Sequence, residues 1–275
     1  TLVPGLTDAV RISAGANHTC ALRDGSTMMC WGNNAGFKAG QSTGVYVTTP
    51  STYTKVVGLT GISAGGTHTC VIAAGDVGGQ AWCFGANTEG QLGGIDEGLE
   101  PVAALGMDDV ISIDTGDDFT CAVRASGQVL CWGQGEQGQC GNGTYTSTDT
   151  PSVVPDINNA IEVSAGVASA CALLASGDVT CWGQNGFGQL GDGTTNSTNL
   201  PVTVQDLGPH GICSACDDQN PCTIDYCVPD APCAPAPVPD GTPCSINMAC
   251  DAGACTAIAP IPQSTLAIGE YFTAA

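Results

Sequence analysis

The chain repeats itself with a period of about fifty residues, and this repeat limits the folds that are open to it. The tetrapeptide ISAG at 12–15 returns, with small changes, at 62–65, 113–116 and 163–166. A glycine-rich stretch and a closing proline follow in the same order each time; the prolines are Pro50, Pro101, Pro151 and Pro201. Landmarks that recur in order at such a period are typical of solenoids and propellers.

Each repeat predicts a β-hairpin closed by a disulfide bond. In the first repeat, HTCAL (18–22) and TMMCWG (27–32) are short alternating runs on either side of a turn at Gly25. Two cysteines flank this turn in every repeat, and facing positions of an antiparallel hairpin lie close enough for a disulfide. The predicted pairs are Cys20–Cys30, Cys70–Cys83, Cys121–Cys131 and Cys171–Cys181, the second being longer because of an insertion around Val77–Gly79.

A large aromatic residue stands beside the second cysteine of each pair. Trp31, Trp132 and Trp182 follow that cysteine directly, and Phe84 takes the place in the second repeat. Because neighbouring side chains of a strand point to opposite faces, the aromatic residue lies on the face away from the disulfide. Both faces of each hairpin therefore need cover, which is typical of sheets packed side by side as the blades of a propeller. The sequence predicts an all-β fold built from propeller-type blades.

These motifs resemble the repeat of the regulator of chromosome condensation family, in the version found in secreted bacterial proteins. The segments that carry the resemblance best are ISAGANHTCALRDG (12–25) and VSAG…CALLASGDVTCWGQNGFGQLGDGT (163–194), and it covers about residues 5–207. Family members fold as seven-bladed propellers. The resemblance thus implies a first domain (1–207) of four blades, at about 9–58, 59–108, 109–158 and 159–207.

Four blades are three fewer than the closed ring of the family. An open set of blades exposes sheet at both of its ends. Three arrangements remain open: a piece of a longer protein, a ring closed with fewer blades, or neighbouring copies that supply the missing contacts in a ring or fibre.

The region after the repeats predicts a small disulfide-rich module at 208–257, followed by an extended arm at 258–275. The module resembles short cysteine-rich repeats of large secreted myxobacterial proteins, through CDDQNPCTIDYC and VPDGTPC. Eight cysteines allow 105 pairings, so their connectivity stays open. They are Cys213, Cys216, Cys222, Cys227, Cys233, Cys244, Cys250 and Cys255.

Composition narrows the partners and the compartment. The formal net charge is −21, with only five Lys and Arg residues, so nucleic acid and a membrane surface are disfavoured as partners. No apolar run is long enough to span a membrane. Seventeen cysteines favour an oxidising compartment, and with the repeat style they predict an extracellular or cell-surface protein from a bacterium.

Two candidate sites stand out among residues that could carry chemistry. Cys140 is the one cysteine of the repeats without a predicted partner, and it aligns with Ala39, Leu92 and Leu190. This alignment favours a buried free thiol, with an interchain or blade-to-tail disulfide as the alternative. Oxygen-bearing side chains crowd one loop of the tail and would suit Ca²⁺, although a solvated turn is the simpler interpretation; they are Asp217, Asp218, Asn220 and Asp225.

No arrangement of a nucleophile and a base is visible, and His18 and His68 are expected to serve packing because they occupy a repeat position. The sequence therefore predicts a non-enzymatic structural protein that binds copies of itself through blades and terminal arms. The alternative is an extracellular protein-binding module or inhibitor that acts through propeller loops, with Tyr46, Tyr53 and Tyr145 exposed on them. The nuclear exchange-factor role of the founding family is disfavoured by the acidic, disulfide-rich composition.

Overall fold

The structure is a computed structural model of the 275-residue chain. It describes residue 3, residues 5–75, 77–94 and 100–205, and five short strands at 223–226, 234–237, 243–245, 248–251 and 254–257. The chain divides into two compact units, Thr1–Gln205 and Asp206–Ala275.

The first unit consists of four blades, and each blade is an antiparallel meander of strands that run in chain order. The prediction of an all-β, propeller-type fold is confirmed. A single 3₁₀ turn, Ala35–Phe37, interrupts the first blade. The strands of the first two blades are β1 (Ala9–Ala14), β2 (His18–Arg23), β3 (Thr27–Asn33) and β4 (Tyr46–Tyr53), then β5 (Leu59–Ala64), β6 (His68–Ala74), β7 (Gly79–Gly85) and β8 (Val102–Ala103). Those of the last two are β9 (Val110–Thr115), β10 (Phe119–Arg124), β11 (Val129–Gly133) and β12 (Thr148–Val153), then β13 (Ala160–Ala165), β14 (Ser169–Leu174), β15 (Val179–Gly183) and β16 (Thr198–Thr203).

Glycine at the hairpin turns makes the tight connections between the second and third strands. Gly25, Gly127 and Gly177 have φ values of +86°, +80° and +86°, a region that residues with a side chain rarely adopt. The second blade has a longer turn because of its insertion, and this places Gly79 opposite Val110 of the third blade. The second and third blades are therefore joined in one eight-stranded sheet.

A disulfide lies at the centre of the hairpin that the second and third strands of each blade form. The structure joins Cys20 to Cys30, Cys70 to Cys83, Cys121 to Cys131 and Cys171 to Cys181, which are the pairs that the hairpin register brings face to face. The Cα atoms of each pair are 4.0–4.1 Å apart. Each bond closes a loop of ten or thirteen residues and, by the chain-entropy account, stabilises its blade by about 2–3 kcal/mol.

In the second unit the described residues form two small antiparallel sheets. Strands β17 (Thr223–Tyr226) and β18 (Ala234–Pro237) pair with each other, and β19 (Pro243–Ser245), β20 (Met248–Asp251) and β21 (Ala254–Ala257) form a three-stranded sheet. Cys250 lies opposite Cys255 in the register of that sheet. The predicted arm at 258–275 lies outside the described residues. Among the residues that are described, none forms a helix that could cross a membrane.

Candidate functional site at the faces of the blades

The contacts between blades repeat from one blade to the next, and they define two kinds of surface. We call the side of a blade that meets the following blade its forward face, and the opposite side its rear face. A glycine-rich loop after the third strand belongs to the forward face, and the aromatic residue beside the second cysteine belongs to the rear face. Three such contacts exist inside the unit, between blades one and two, two and three, and three and four.

A tryptophan on the rear face reaches into the loop of the preceding blade. Trp132 Nε1 donates to the carbonyl of Gln91 at 2.9 Å, and Trp182 Nε1 donates to that of Gln139 at 2.9 Å. Both rings are fully buried. A Cβ on the glycine two residues after either glutamine would lie 2.8 Å or less from the indole, so the loop motif needs glycine at Gly93 and Gly141.

Histidine and threonine form a second repeated contact, which extends to a backbone carbonyl. His18 Nε2 lies 2.6 Å from Thr69 Oγ1, and the Thr69 hydroxyl donates to the Lys38 carbonyl at 2.7 Å. His68, Thr120 and the Gln91 carbonyl make the same chain one blade later. Since each threonine proton goes to the carbonyl, the histidine Nε2 must be the protonated nitrogen that donates to threonine.

This arrangement keeps both histidines neutral. Their Nδ1 atoms are buried without a hydrogen-bond partner, so a proton added there would have no acceptor. Burial lowers the pKa of His18 to about 4, with a smaller effect from the nearby Lys38 charge. Burial also lowers the pKa of His68 to about 3, with a smaller effect from His18.

The third internal contact replaces this polar pair with an apolar one. Phe119 stands in the place of the histidines and Ala170 in the place of the threonines, and both belong to one buried cluster. A large apolar ring thus faces a small apolar partner, where elsewhere an imidazole faces a hydroxyl. The two positions change together, which is what a direct contact requires.

A side-chain oxygen at the end of the first strand forms a third repeated contact. The backbone N–H of Ala64 donates to Ser13 Oγ at 2.9 Å, that of Thr115 donates to Ser63 Oγ at 3.0 Å, and that of Ala165 donates to Asp114 Oδ2 at 2.8 Å. Each oxygen sits on the forward face and each N–H on the rear face of the next blade. This first-strand contact is therefore present at all three internal interfaces.

Cys140 occupies the apolar position of the shared loop, as its alignment with Ala39, Leu92 and Leu190 indicates. All four side chains are 0 % exposed. The Cys140 thiol makes no disulfide among the described residues and lies 3.3 Å from the Gln134 carbonyl. Burial raises the pKa of this thiol to about 12, so the reactive thiolate is disfavoured.

The rear face of blade one carries the same groups, and no blade precedes it among the described residues. Trp31, the counterpart of Trp132 and Trp182, is only half-buried, and Thr19, the counterpart of Thr69, is also partly exposed. Trp31 borders an open cavity of about 630 Å³ that Asn17, Gly32 and Tyr46 also line. In blade three, the counterpart of Gly32 is Gly133, which lies close to the backbone of Gln91 in the glycine-rich loop of blade two. The cavity beside Gly32 therefore corresponds to the space that such a loop fills at an internal interface.

The forward face of blade four carries the matching groups, and no further blade follows it among the described residues. Gln189, the counterpart of Gln91 and Gln139, is exposed, whereas both of those are 0 % exposed. Ser164, the counterpart of Ser63, is exposed as well. Among the described residues 3, 5–75, 77–94 and 100–205, no backbone hydrogen bond joins blade four to blade one.

Each of the two end blades carries an exposed aromatic residue. Phe187 on the loop of blade four is 93 % exposed and Tyr46 on blade one is 70 % exposed. Tyr145, in the loop before β12, is also exposed. The prediction for Tyr53 is wrong: this residue ends β4, is buried, and stacks on Phe84 with ring centroids 4.7 Å apart. Phe84 takes the tryptophan position on the rear face of blade two, and Tyr53 of blade one covers its ring.

The first strands of all four blades line one groove. Its volume is about 740 Å³, and its charged residues are Arg11, Asp114 and Glu162. Asp114 is engaged by the Ser63 hydroxyl and the Ala165 N–H, so it serves the blade contacts.

The described residues contain no group of three or more His, Cys, Asp or Glu side chains that could hold a metal ion. The candidate Ca²⁺ residues Asp217, Asp218 and Asn220 lie outside the described residues, and Asp225 is on β17, whose side chains are not described. The tail cysteines predicted to form disulfides divide in the same way. Those outside the described residues are Cys213, Cys216, Cys222, Cys227 and Cys233, and those on strands whose side chains are not described are Cys244, Cys250 and Cys255. The sequence had not singled out Gln189, Ser164 and Phe187, which only the comparison of blade faces identifies.

Comparison with known proteins agrees with this architecture. Two models described as "Regulator of chromosome condensation (RCC1) repeat" match the chain, one at residues 78–123, 126–173 and 176–216 and the other at 9–37, 110–139 and 160–189. Together the matches cover more than half of the chain.

Similar proteins share part of their length with this chain. The human probable E3 ubiquitin-protein ligase HERC4 is 30 % identical over 152 residues, which is 53 % of this chain and 14 % of HERC4. The ultraviolet-B receptor UVR8 of Arabidopsis thaliana is 29 % identical over 149 residues, or 52 % of this chain and 33 % of the receptor.

Among solved structures, human WBSCR16 superposes with a TM-score of 0.63 at 23 % identity, covering 72 % of this chain and 54 % of its own. Yeast RCC1 (Prp20), solved with Kap60, gives a TM-score of 0.66 at 17 % identity, covering 81 % of this chain and 52 % of its own. The chain thus spans about half the length of these solved propellers and a smaller share of the two sequence relatives. On its repeats, its blade structure and these matches, the chain belongs to the regulator of chromosome condensation (RCC1) repeat family.

Proposed function

We propose that this chain is an extracellular structural protein whose blades bind protein partners, the first of which is another copy of itself. The observation that carries this proposal is the state of the two end faces. The internal counterparts of Trp31 and Gln189 are fully buried between blades. Trp31 and Gln189 themselves are accessible to solvent. A second blade with the same pattern would bury them.

The extracellular part of the proposal is supported by the disulfides. The four disulfides of the first unit lie inside hairpins. Such bonds persist in oxidising compartments, and they make each blade resistant to separate opening. The proposal also includes a bacterial source, a tail module of the myxobacterial type, and a role for residues 258–275 as an arm.

Sedimentation velocity of the purified chain over a wide range of concentrations tests the self-association. The expected result is a mass that rises with concentration from the 27.4 kDa of a single chain. A single species of monomer mass at every concentration up to the millimolar range would contradict the proposal.

A second candidate function is the binding of a different extracellular protein through the loops. Exposed Tyr145 favours it, because tyrosine is enriched in protein interfaces and this residue belongs to blade three rather than to either end blade. Yeast Prp20 is described with binding properties toward Gsp1p and histones, which shows that a propeller of this family can bind proteins. A Tyr145→Asp variant that loses a captured partner but keeps self-association would support this candidate.

A further inference from the structure

We propose that two copies join head to tail, with the forward face of blade four of one copy bound to the rear face of blade one of the next. This inference rests on the proposed self-association and specifies its surface. The contact would reproduce the internal blade interface, whose first-strand contact occurs three times and whose tryptophan–loop contact occurs twice inside the chain. It would place Trp31 of one copy against the Gln189 loop of the other.

The loop of blade four already has the geometry of the internal loops. The N–H of Phe187 donates to Gln189 Oε1 at 2.9 Å, and the N–H of Gln137 donates to Gln139 Oε1 at 2.8 Å. The internal loop of blade two has the same bond, from the N–H of Glu89 to Gln91 Oε1. The acceptor carbonyl for a tryptophan is thus presented on blade four without rearrangement of that loop, which lowers the cost of binding.

The rear face of blade one offers the donor and the space for that loop. Trp31 Nε1 makes no hydrogen bond to the described residues, and the adjacent cavity of about 630 Å³ is open to solvent. The first strands match as well: Ser164 Oγ corresponds to the acceptors Ser13 and Ser63, and the N–H of Ala14 corresponds to the donor N–H of Ala64. Ser164 and Ala14 are both exposed.

One pair of positions differs from the internal interfaces in a way that suits a contact between copies. At the interface of blades two and three, Ser147 Oγ lies 3.2 Å from Glu89 Oε2, and its hydroxyl also contacts Glu136 Oε1 at 2.8 Å. The strand registers place Tyr46 where blade three has Ser147, and the loop geometry places Phe187 where blade two has Glu89. Two exposed aromatic side chains therefore replace a polar pair, and they would bury each other's rings.

A contact between two different faces has no reason to stop at a dimer. Each added copy presents a free blade one and a free blade four, so association continues into a ring or an open filament. This separates the proposed contact from a two-fold dimer, in which one face pairs with itself.

Mixing two one-sided variants tests this directly. Tyr46→Asp blocks the rear face of blade one and leaves blade four intact, and Phe187→Asp does the reverse. Each change is at an exposed side chain, so neither removes a core contact. Tyr145→Asp, another exposed aromatic position, is the matched control.

We expect wild type and Tyr145→Asp to form species beyond the dimer, and each blocked variant alone to associate more than about tenfold less tightly, because a charge would be buried without a partner. An equimolar mixture of the two blocked variants should give a dimer and nothing larger. That dimer would also show that both variants are folded. The proposal is overturned if the mixture stays monomeric, or if the blocked variants associate like wild type. If the blocked variants associate like wild type, self-association is kept and only the head-to-tail contact is contradicted. If wild type itself stays monomeric, the proposed self-association is contradicted as well.

Discussion

The internal blade interfaces and the two end faces of the first unit are built from the same groups, but only the internal ones are filled. Trp132 and Trp182 are fully buried with their indole N–H groups bonded, whereas Trp31 is half-buried. Gln91 and Gln139 are fully buried, whereas Gln189 is exposed. The difference teaches that a blade of this kind is a complete hairpin meander with incomplete faces, and that its neighbour supplies the missing contacts.

The largest expected contrast is between tryptophans in equivalent positions. Trp132→Ala should lower the free energy of unfolding by about 3–5 kcal/mol, since it leaves a cavity and removes the bond to the Gln91 carbonyl. Trp31→Ala should lower the free energy of unfolding clearly less in dilute solution, because the Trp31 ring is only half-buried. Urea unfolding at a concentration where the chain is monomeric measures both values. Equal losses would show that the end face is not an unfilled version of the internal interface.

The second contrast is in pH dependence, which should come from the two polar interfaces. The pKa values of His18 and His68 are lowered in the folded state, so stability is lost as the pH falls below the unfolded value of about 6.5. Lowering the pH from 6.5 to 5 should reduce the free energy of unfolding by about 2 kcal/mol for each histidine. Thermal unfolding measured across this range gives the slope.

The third internal interface provides the matched control for that slope. The double substitution His68→Phe with Thr120→Ala copies the Phe119 and Ala170 pair into the contact of blades two and three. It should remove about half of the loss between pH 6.5 and 5 while the fold is kept. An unchanged slope would place the titrating groups elsewhere in the chain.

A smaller effect is expected at the loop position that all four blades share. Cys140→Leu should change the free energy of unfolding by less than about 1.5 kcal/mol, because Leu92 and Leu190 already fill the same position. Cys140→Ser should cost about 1–3 kcal/mol through burial of a hydroxyl. Denaturant titration gives both values, and thiol titration before and after unfolding checks that Cys140 reacts only when unfolded.

Much of this architecture could be predicted from the sequence, since it depends on short-range patterns. The hairpins and the residues that face across them follow from alternation and turn glycines within about fifteen residues. The position of Cys140 follows from alignment of the repeats alone. The repeat was also specific enough to identify the family.

The contacts between blades could not be predicted in the same way. Partners such as His18 and Thr69 are about fifty residues apart, and their meeting depends on how one sheet lies against the next. The burial of Tyr53 was missed for the same reason: the residue is placed by Phe84 of the following blade, which local sequence does not show. The insertion around Val77–Gly79 likewise gave no sign that Gly79 would pair with Val110 and join two blades.

Hydrogen–deuterium exchange as a function of protein concentration tests most directly whether the end faces are unfilled blade interfaces. At concentrations that favour association, exchange should slow at residues 14–19 and 45–47 of blade one and at residues 164–169 and 187–191 of blade four. The matching loops of blades two and three should keep the same rates, because their partners are already within the chain. Slowing that is centred on blades two and three, or no dependence on concentration anywhere, would contradict the account.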